Sequence, residues 1–406
     1  MFELSKLSNL ETSGKPLVDM GLQPVSNRFV STEKLEKVPE FNFELRLCGE
    51  SGLIHLANPF PVEALKPSYD WLTCFEPEDH LDDMVKTIIS LPGINEQSLF
   101  GAYSFKDDST LERLIRLGYR NSWRIKPDVD LGVTDPCANV ETYQSVLNDK
   151  LAEKIISKNS AADVFIVRHV VEHAYNLPVF LSFIKKLIKP SGYIVWELPD
   201  CERALQVGDC TILWEEHVFY FTRYTFKQVM ASVGLSIQHY ESVPYPLENS
   251  IIAITQLVDN EEAESTVDQT ILSKEIARAK KFAETIRSRR ESLRSKLEMA
   301  KIKYGSIALF GAGHLSVAFL SMMNVDDLFD FVIDDNENKK GMKMPIGGLN
   351  IVGSDRLYDN NVGLCLLSLN PHNQPKVIEK HQRYIENGGL FASIFPSSEN
   401  YLETIL

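Results

Sequence analysis

The sequence predicts an α/β protein made of two linked halves, each with a mostly parallel sheet covered by helices. Two observations lead to this prediction. Strand-like and helix-like stretches alternate from residue 97 to about residue 257 and again from residue 305 onward. Residues 260 to 304, between the two series, contain no proline or glycine. Alternating β and α units typically form parallel sheets with helices on both faces.

The composition is that of a folded protein with more than one domain. The chain has 406 residues, of which 44% are apolar and 24% charged, and its length favours two or three domains. The net charge is −14, and the 42 lysines and arginines are spread along the chain, so we expect no nucleic-acid partner. No signal-like or membrane-spanning apolar stretch is present, so we expect a cytoplasmic protein without a membrane partner.

The chain begins with a stretch that predicts a small β-containing lobe. Short apolar runs such as FNFELRLCGESGLIHL are broken by proline and glycine up to about residue 95. A helix is predicted near Asp79 to Leu91, after the charged string CFEPEDHLDDM. Glu76 and Pro77 are suited to start that helix, and the alternative is that this string closes over a ligand.

The first α/β series is predicted from its apolar runs. Strands are predicted in SLFGAYSF, DVFIVRHV, GYIVWELP and SIIAITQLV, and helices in STLERLIRLG, LPVFLSFIKKLIK and RYTFKQVMASVG. The following charged stretch, rich in Glu, Lys, Arg and Ala, predicts one long helix. Its apolar positions recur at spacings near three and four, so one side should pack on a domain: Ile271, Ile276, Ala279, Phe282, Ile286, Leu293, Leu297 and Ile302.

The second series opens with a glycine-rich turn, ALFGAGHLSVAFL. Gly311 and Gly313 come after a strand and before a helix, where backbone can approach a phosphate. FVIDDN supplies Asp334 and Asp335 about 20 residues later, as in a dinucleotide site, whereas Ser316 replaces the third motif glycine. The alternative is that the two glycines only make the turn possible.

The string CTILWEEHVFYFTRYTF holds a candidate catalytic group. Glu215, Glu216 and His217 lie in an aromatic segment, where neighbours can tune an imidazole for acid or base work. A structural histidine is the alternative. A zinc site with His169 and His173 of RHVVEH is set aside, because the H-E-x-x-H pattern is missing and a helical setting is doubtful.

The six cysteines form no C-x-x-C pair, so we expect buried free thiols rather than a zinc or redox site: Cys48, Cys74, Cys137, Cys201, Cys210 and Cys365.

A resemblance to a known family rests on four stretches: MGLQPVSNRF, VVEHAYNLPVFLSFIKKLIKPSGYIVWELPD, EEHVFYFTRYTFKQVMASVGL, and ALFGAGHLSVAFL with FVIDDNENKKGMKMPIGGLNI. They resemble the S-adenosylmethionine-dependent C-methyltransferases of nucleotide-linked deoxy-keto sugars, which serve surface-polysaccharide and antibiotic pathways. The resemblance covers almost the whole chain. It implies a small lobe of degenerate zinc-binding type (1–75), a class I methyltransferase domain (76–258), a linker helix (259–304) and a C-terminal Rossmann-like domain (305–406).

The resemblance also implies roles for individual residues. His217 would be the general base, Glu216 would orient it and Tyr220 would stack or hydrogen-bond nearby. The methyl donor would lie near Ser104, Asp107, Asp108, Asp128 and Arg168. The nucleotide sugar would lie near Gly311, Gly313, His314, Asp334 and Asp335.

The chain departs from the family at three places. Ser51 stands where a second cysteine is expected beside Cys48, so no zinc and no other metal is expected. The donor loop reads AYSFKDDSTLERLIRLG without its glycines, and Lys126 in RIKPDVD stands where an acid usually binds the ribose. Trp214 and Glu215 replace the usual tyrosine and histidine. These departures put donor binding in doubt.

Three functions are therefore weighed. The first is methyl transfer to carbon of a nucleotide-linked keto sugar by a monomer or homodimer. The second is a divergent relative that has lost the donor and either modifies a nucleotide sugar by other acid-base chemistry or only binds it. The third is a scaffold whose long helix pairs with a partner, which the broad spread of polar residues around that helix disfavours.

Overall fold

The computed structural model describes residues 15–31, 37–69, 71, 76–258, 267–359 and 362–406. These residues form three sheets: an antiparallel sheet near the N-terminus, a mixed central sheet and a parallel C-terminal sheet. The predicted α/β class with a small N-terminal β lobe is confirmed.

The first sheet combines three N-terminal strands with a strand from the middle of the chain. The order is β1 (Val18–Pro24), β2 (Glu40–Leu47), β3 (Ile54–Leu56) and β8 (Phe219–Tyr220), with antiparallel pairing throughout. A short helix, α1 (Val62–Leu65), follows β3. Phe43, Leu45 and Leu56 are fully buried, so apolar packing contributes to this lobe.

The central sheet has the order β5-β4-β6-β7-β10-β9. The strands β4 (Phe100–Ala102), β5 (Ser122–Arg124), β6 (Ala162–Arg168) and β7 (Ile188–Asp200) are parallel. β10 (Asn249–Leu257) runs antiparallel to both β7 and β9 (Leu235–Val243). All four strands predicted in this series are confirmed.

Helices cover the central sheet, and the predicted ones are confirmed. Their bounds are α2 (Leu81–Ile89), α3 (Asp108–Arg116), α4 (Val140–Gln144), α5 (Asp149–Asn159), α6 (Leu177–Lys186), α7 (Glu202–Val207) and α8 (Arg223–Ser232). Apolar side chains fill both faces of the sheet; Phe165 and Trp196 lie on one face, and Ile166 and Val195 on the other. Among the described helices, none is both long and apolar enough to cross a membrane.

The charged stretch forms the helix α9 (Gln269–Tyr304), as predicted. It begins where the Asp268 carboxylate accepts the Thr270 and Ile271 N–H groups, and Gly305 follows its end with φ +77°. Its buried stripe is Leu272, Glu275, Ala279, Phe282, Ala283, Ile286, Leu293, Leu297 and Ala300.

Two positions predicted in that stripe are wrong. Ile271 is 40% exposed and Ile302 is 88% exposed. Ile302 lies about 200° around the helix from buried Ala300, and Ile271 about 100° from buried Leu272. A spacing of three or four from one neighbour is not enough to keep a residue on the packed side of a long helix.

The C-terminal sheet is parallel, with the order β13-β12-β11-β14-β15. Its strands are β11 (Ser306–Phe310), β12 (Phe331–Ile333), β13 (Ile351–Val352), β14 (Val362–Leu367) and β15 (Leu390–Ser393). Its helices are α10 (His314–Met323), α11 (Arg356–Asp359), α12 (Gln374–Lys380), α13 (Gln382–Glu386) and α14 (Leu402–Ile405). The second strand-helix series is confirmed.

The prediction of buried free thiols is confirmed for Cys201, Cys210 and Cys365. It is wrong for Cys137, which is exposed in the loop before α4, and Cys48 is only partly buried. Cys74 lies outside the described residues.

Candidate functional site

The turn after β4, where the donor loop is predicted, is closed by its own side chains. Asp107 is fully buried, and its carboxylate accepts hydrogen bonds from the N–H groups of Tyr103 (3.0 Å), Ser104 (2.8 Å) and Arg168 (2.9 Å). The Ser104 hydroxyl accepts the Lys106 N–H at 3.2 Å. Burial outweighs these hydrogen bonds and raises the pKa of Asp107 to about 7.

Arg168, at the end of β6, is buried and held inside the protein. Its Nε donates to Glu197 Oε2 of β7 at 2.5 Å, and Nη1 donates to the Lys106 carbonyl. Glu197 also accepts the Tyr245 hydroxyl at 2.7 Å. A compact polar group thus covers the carboxyl ends of β6 and β7.

Two histidines complete that polar group. His80, next to the start of α2, places Nε2 2.9 Å from Glu197 Oε1, and His169 places Nε2 3.2 Å from the same oxygen. Burial alone would lower the pKa of His169, but Glu76 and Glu197 raise it to about 10. The string that contains His80 therefore does pack against the sheet ends, in addition to starting α2.

The remaining acidic residues predicted near the donor either pair with other residues of the chain or are exposed. Asp108 forms an ion pair with Arg124 at 3.0 Å near the surface, and Asp128 is exposed. The Asp130 carboxylate accepts the Lys126 N–H at 2.8 Å and Lys158 Nζ at 2.6 Å. Each of these carboxylates except Asp128 is therefore already paired within the chain.

S-adenosylmethionine, which the resemblance implies, does not fit the β4 turn in this arrangement. Its amino-acid end would need close backbone approach and free N–H donors. The N–H groups of Tyr103, Ser104 and Arg168 all donate to Asp107, and that of Lys106 donates to Ser104. Asp107, predicted to bind the ammonium group of the donor, instead accepts hydrogen bonds from the first three of these N–H groups.

The segment that holds His217 is fixed from two sides. The Val218 N–H donates to the Glu172 carbonyl just beyond β6 at 2.8 Å, and the Leu56 N–H of the first sheet donates to the Val218 carbonyl at 2.8 Å. Strand β8 follows at once and pairs with β3. His217 is therefore held where the first sheet meets the central sheet.

The His217 ring lies among aromatic and imidazole rings. Its centroid is 4.8 Å from that of His173 at right angles, 5.2 Å from Trp214 and 6.4 Å from Tyr220. Burial, helped by the nearby imidazoles of His173 and His314 and by Lys106, holds the pKa of His217 well below its usual value. The imidazole is thus neutral at pH 7 and able to accept a proton.

Glu216 and Tyr220 lie close to this ring but have other partners. The carboxylate of Glu216 groups with Glu141 and His173, and within the described part of the chain no hydrogen bond joins it to His217. Burial and the neighbouring Glu141 and Glu215 raise its pKa well above the usual range. The Tyr220 hydroxyl donates to the Trp214 carbonyl at 3.2 Å.

Glu215 and His314 join three parts of the chain. The Ser26 N–H and hydroxyl donate to the Glu215 carboxylate at 2.5 and 3.0 Å. His314, at the start of α10, stacks on Trp214 at 4.2 Å and places Nδ1 3.3 Å from Ser26 Oγ. His314 is therefore packed in this junction together with Trp214 and Glu215, the two residues that depart from the family pattern.

The glycine-rich turn is shaped as the sequence suggests. Gly311 has φ +108°, and a Cβ there would lie 2.8 Å from Leu369, whereas a Cβ on Gly313 would meet open space. The Asp334 carboxylate accepts the Ala312 N–H of the same turn at 2.9 Å. The Asp335 carboxylate does not contact this turn, and it accepts hydrogen bonds from the Ser354 hydroxyl and from Lys380 Nζ. Partial burial would raise the pKa of Asp335, but these partners outweigh it and lower the pKa to about 2.

Sequence reasoning missed part of the cluster around His217. His173 follows β6 in a short 3-10 turn (Val171–His173), and its Nδ1 lies 2.6 Å from Glu141 Oε1. Lys106, from the β4 turn, donates to the His169 carbonyl at 3.2 Å. RHVVEH was a signal for His173, but nothing in the string around Glu141 marked it out.

A cavity of about 510 Å³ lies apart from all of these residues, between the first sheet and α9. Its lining includes Arg46, Cys48, His55 and Lys280. None of the predicted site residues borders it.

Two family models match the chain. Residues 248–396 match the C-methyltransferase C-terminal domain. Residues 119–240 match a methyltransferase domain, and this match begins after the β4 turn. Together they support S-adenosylmethionine-dependent methyltransferase activity. No curated protein matches the chain.

Several solved methyltransferase structures are similar to part of the chain. The 1,6-didemethyltoxoflavin-N1-methyltransferase of Burkholderia thailandensis is 8% identical, over 45% of this chain and 78% of that one, with a TM-score of 0.30. The magnesium protoporphyrin IX methyltransferase of Synechocystis PCC 6803 is 13% identical, over 45% and 83%, with a TM-score of 0.30. A methyltransferase of Aquifex aeolicus is 11% identical, over 45% and 94%, with a TM-score of 0.29.

Proposed function

We propose that this chain is a C-methyltransferase that acts on a nucleotide-linked keto-deoxy sugar, with His217 as the general base. One observation carries the proposal: a buried, neutral imidazole stands beside a second imidazole, three carboxylates and a lysine just beyond the carboxyl end of β6. The match of residues 248–396 to a C-methyltransferase domain supports the same class of reaction.

The chemistry proposed for this chain is removal of a proton next to a ketone. The C–H electron pair would move into the enolate, and the proton would go to the free ring nitrogen of neutral His217. The Lys106 ammonium group, close enough to lower the pKa of His217, would stabilise the negative charge on the enolate oxygen. Tyr220 would limit the orientations of the imidazole by packing beside it.

S-adenosylmethionine, when bound, supplies the methyl group of such a reaction. The β4 turn described above does not accommodate it, so binding would require Asp107 to release at least one backbone N–H group. This observation favours a second candidate function. In that candidate the chain has lost the donor and uses the same base for another reaction of a nucleotide sugar, such as epimerisation, or only binds the sugar.

Calorimetric titration separates the two candidates. Purified protein would be titrated with S-adenosylmethionine and, separately, with a panel of nucleotide sugars. Micromolar binding of both ligand classes is expected if the chain transfers methyl groups. Binding of nucleotide sugars without binding of the donor would reject methyl transfer and leave the second candidate.

The role of His217 is tested without any donor. A nucleotide-linked keto sugar would be incubated in deuterated water, and loss of the proton next to the ketone would be followed by NMR. We expect His217→Gln to slow exchange at least about 100-fold while sugar binding is retained, since a positioned base contributes about 10²–10⁴-fold. His239→Gln, on β9 outside the cluster, is the control; equal exchange in wild type and His217→Gln would rule out the base role.

A further inference from the structure

Glu172, His173 and His217 form a compact group of possible metal ligands. All three residues are buried, with exposed fractions of 2%, 3% and 6%. Each offers one nitrogen or carboxylate oxygen, and these three atoms lie within 4.8 Å of one another. The Val218 N–H bond to the Glu172 carbonyl holds His217 beside the other two residues.

The orientation of His173 suits a metal ligand. Its Nδ1 lies 2.6 Å from Glu141 Oε1, within ion-pair distance. Its Nε2, on the other side of the ring, lies 3.8 Å from Glu172 Oε1. A carboxylate that holds the far nitrogen of a histidine is the usual support for a histidine that binds a metal.

Glu172 provides an independent observation. Both of its carboxylate oxygens are buried, and neither has a hydrogen-bond partner in the described part of the chain. Glu172 Oε1 forms ion pairs with His169 Nδ1 at 3.7 Å and with His173 Nε2 at 3.8 Å, both beyond hydrogen-bond distance. A buried carboxylate without hydrogen bonds is costly, so this geometry indicates a missing partner between Glu172 and the two imidazoles.

We propose that Glu172, His173 and His217 bind a divalent transition-metal ion of the zinc type. Two imidazole nitrogens and one carboxylate are a ligand set that zinc accepts, with a fourth position left for water or substrate. Ligand atoms on a tetrahedral zinc ion at about 2.1 Å stand about 3.4 Å apart, so the three atoms need to close by little more than about 1 Å. Glu141 would support His173 from outside the ligand set.

This site differs from the one that sequence reasoning set aside. That site took His169 and His173 as the candidate partners of His217, whereas this one has Glu172 in place of His169. Here the Nε2 of His169 lies 3.2 Å from Glu197, and His169 is not one of the three ligands. The third ligand, His217, comes from a segment more than 40 residues later.

The proposal does not rest on the proposed function, but it has a consequence for it. A metal-bound imidazole has no lone pair left for a proton, so His217 cannot be ligand and base in the same molecule. Bound zinc would therefore stop any turnover that depends on His217, and a chelator would restore it.

The test uses full-length protein freed of metal by a chelator, without sugar or methyl donor. Zn²⁺ would be titrated in competition with a chromophoric chelator, and Co²⁺ would be followed by its absorption. We expect one tight site per chain. Glu141→Gln should weaken binding about 10–100-fold, and Glu172→Gln and His217→Gln by more, while His239→Gln should bind as wild type does.

Circular dichroism would check that each variant is folded. Weak Zn²⁺ binding by the wild type would overturn the proposal. So would Zn²⁺ binding that is as tight in folded Glu172→Gln and His217→Gln as in the wild type. The wild-type Co²⁺ spectrum is decisive if these variants do not fold. A spectrum of nitrogen and oxygen ligation supports the site, whereas a thiolate charge-transfer band or no ordered Co²⁺ would overturn it. Neither result depends on binding of S-adenosylmethionine or sugar.

Discussion

The Glu197 carboxylate is the counterion of two buried cations, Arg168 and His169. It is fully buried, and burial alone would raise its pKa, but His169, His80 and Arg168 hold the pKa well below its usual range. The charge is therefore present in the folded protein at neutral pH. Removing it would leave the guanidinium of Arg168 buried without its counterion.

We predict that Glu197→Gln lowers the free energy of unfolding by about 3–5 kcal/mol, the usual cost of breaking a buried ion pair from one side. Glu241→Gln, on the solvent side of β9, is the control and should change it by less than about 0.5 kcal/mol. Urea denaturation at pH 7 would measure both. A loss below about 1 kcal/mol in Glu197→Gln would show that the cluster does not depend on this charge.

Asp107 predicts a pH dependence of stability. Its pKa rises from 3.8 in the unfolded chain to about 7 in the folded protein, so the folded state binds the proton more tightly. The stability from this group is complete below about pH 4 and is lost as pH rises towards 7. At 1.36 kcal/mol per pH unit the loss is about 4 kcal/mol.

Asp107→Asn mimics the protonated carboxyl. Its free energy of unfolding should therefore not fall as pH rises from about 4 to about 7, in contrast to that of the wild type. Denaturant titrations of both proteins from pH 4.5 to 8 would show the difference between them shrinking or reversing as pH rises. Parallel pH curves for the two proteins would contradict the raised pKa. Asp128→Asn, exposed and outside the turn, should follow wild type.

For individual residues, local sequence patterns marked some members of the candidate site but not those that join it through tertiary contacts. The missing glycines of AYSFKDDST signalled an altered turn, and the turn is indeed altered. The reason was not readable, because Asp107 bonds to Arg168, 61 residues away. His217 was singled out by its local string, whereas Glu141 joins the cluster only through the tertiary fold.

The long helix α9 shows the same contrast between local pattern and packing. Its existence was predictable from composition, because a stretch of 45 residues rich in helix-forming residues and without proline or glycine favours a helix. Its packed stripe contacts elements that come before it and after it in the chain: Phe282 and Leu297 lie in one apolar core with Leu205 of α7 and Leu309 of β11. Exposed Ile302 lies outside it.

We predict that Phe282→Ala lowers the free energy of unfolding by about 3–5 kcal/mol, since it removes a fully buried ring. Ile302→Ala, on the same helix but 88% exposed, should change it by less than about 0.5 kcal/mol. Thermal or denaturant unfolding followed by circular dichroism would measure the pair. Equal losses in the two variants would mean that the helix is not packed as described.

Across the whole molecule, the junction of Ser26, Glu215 and His314 connects three parts of the chain that are distant in sequence. Ser26 comes from the first lobe, Glu215 precedes the candidate base, and His314 starts the first helix of the C-terminal sheet. Burial raises the pKa of Glu215 to about 7 and lowers that of His314 to about 4. Sequence patterns predicted the separate domains, but they carry no information on this contact.

A double-mutant cycle would measure this connection. Ser26→Ala and His314→Ala remove the two side chains that lie 3.3 Å apart. We expect a coupling of about 0.5–1.5 kcal/mol in the free energy of unfolding, the range for a buried hydrogen bond between neighbours. Ser26→Ala combined with His239→Ala should be additive. Additivity in the first pair as well would show that the three parts are energetically independent there.

The pairing of strand β8 with the first sheet determines which segments of the chain can be exchanged or can change independently. Phe219 and Tyr220 pair with β3, so the first sheet completes its edge with two residues that follow the candidate base. A chimera that exchanged only the N-terminal lobe would place a foreign strand beside Phe219 and Tyr220, and a truncation would leave their edge without its neighbour. The exchangeable unit therefore includes the lobe together with Trp214 to Phe221, and sequence changes in either one should be tolerated only when the other accommodates them.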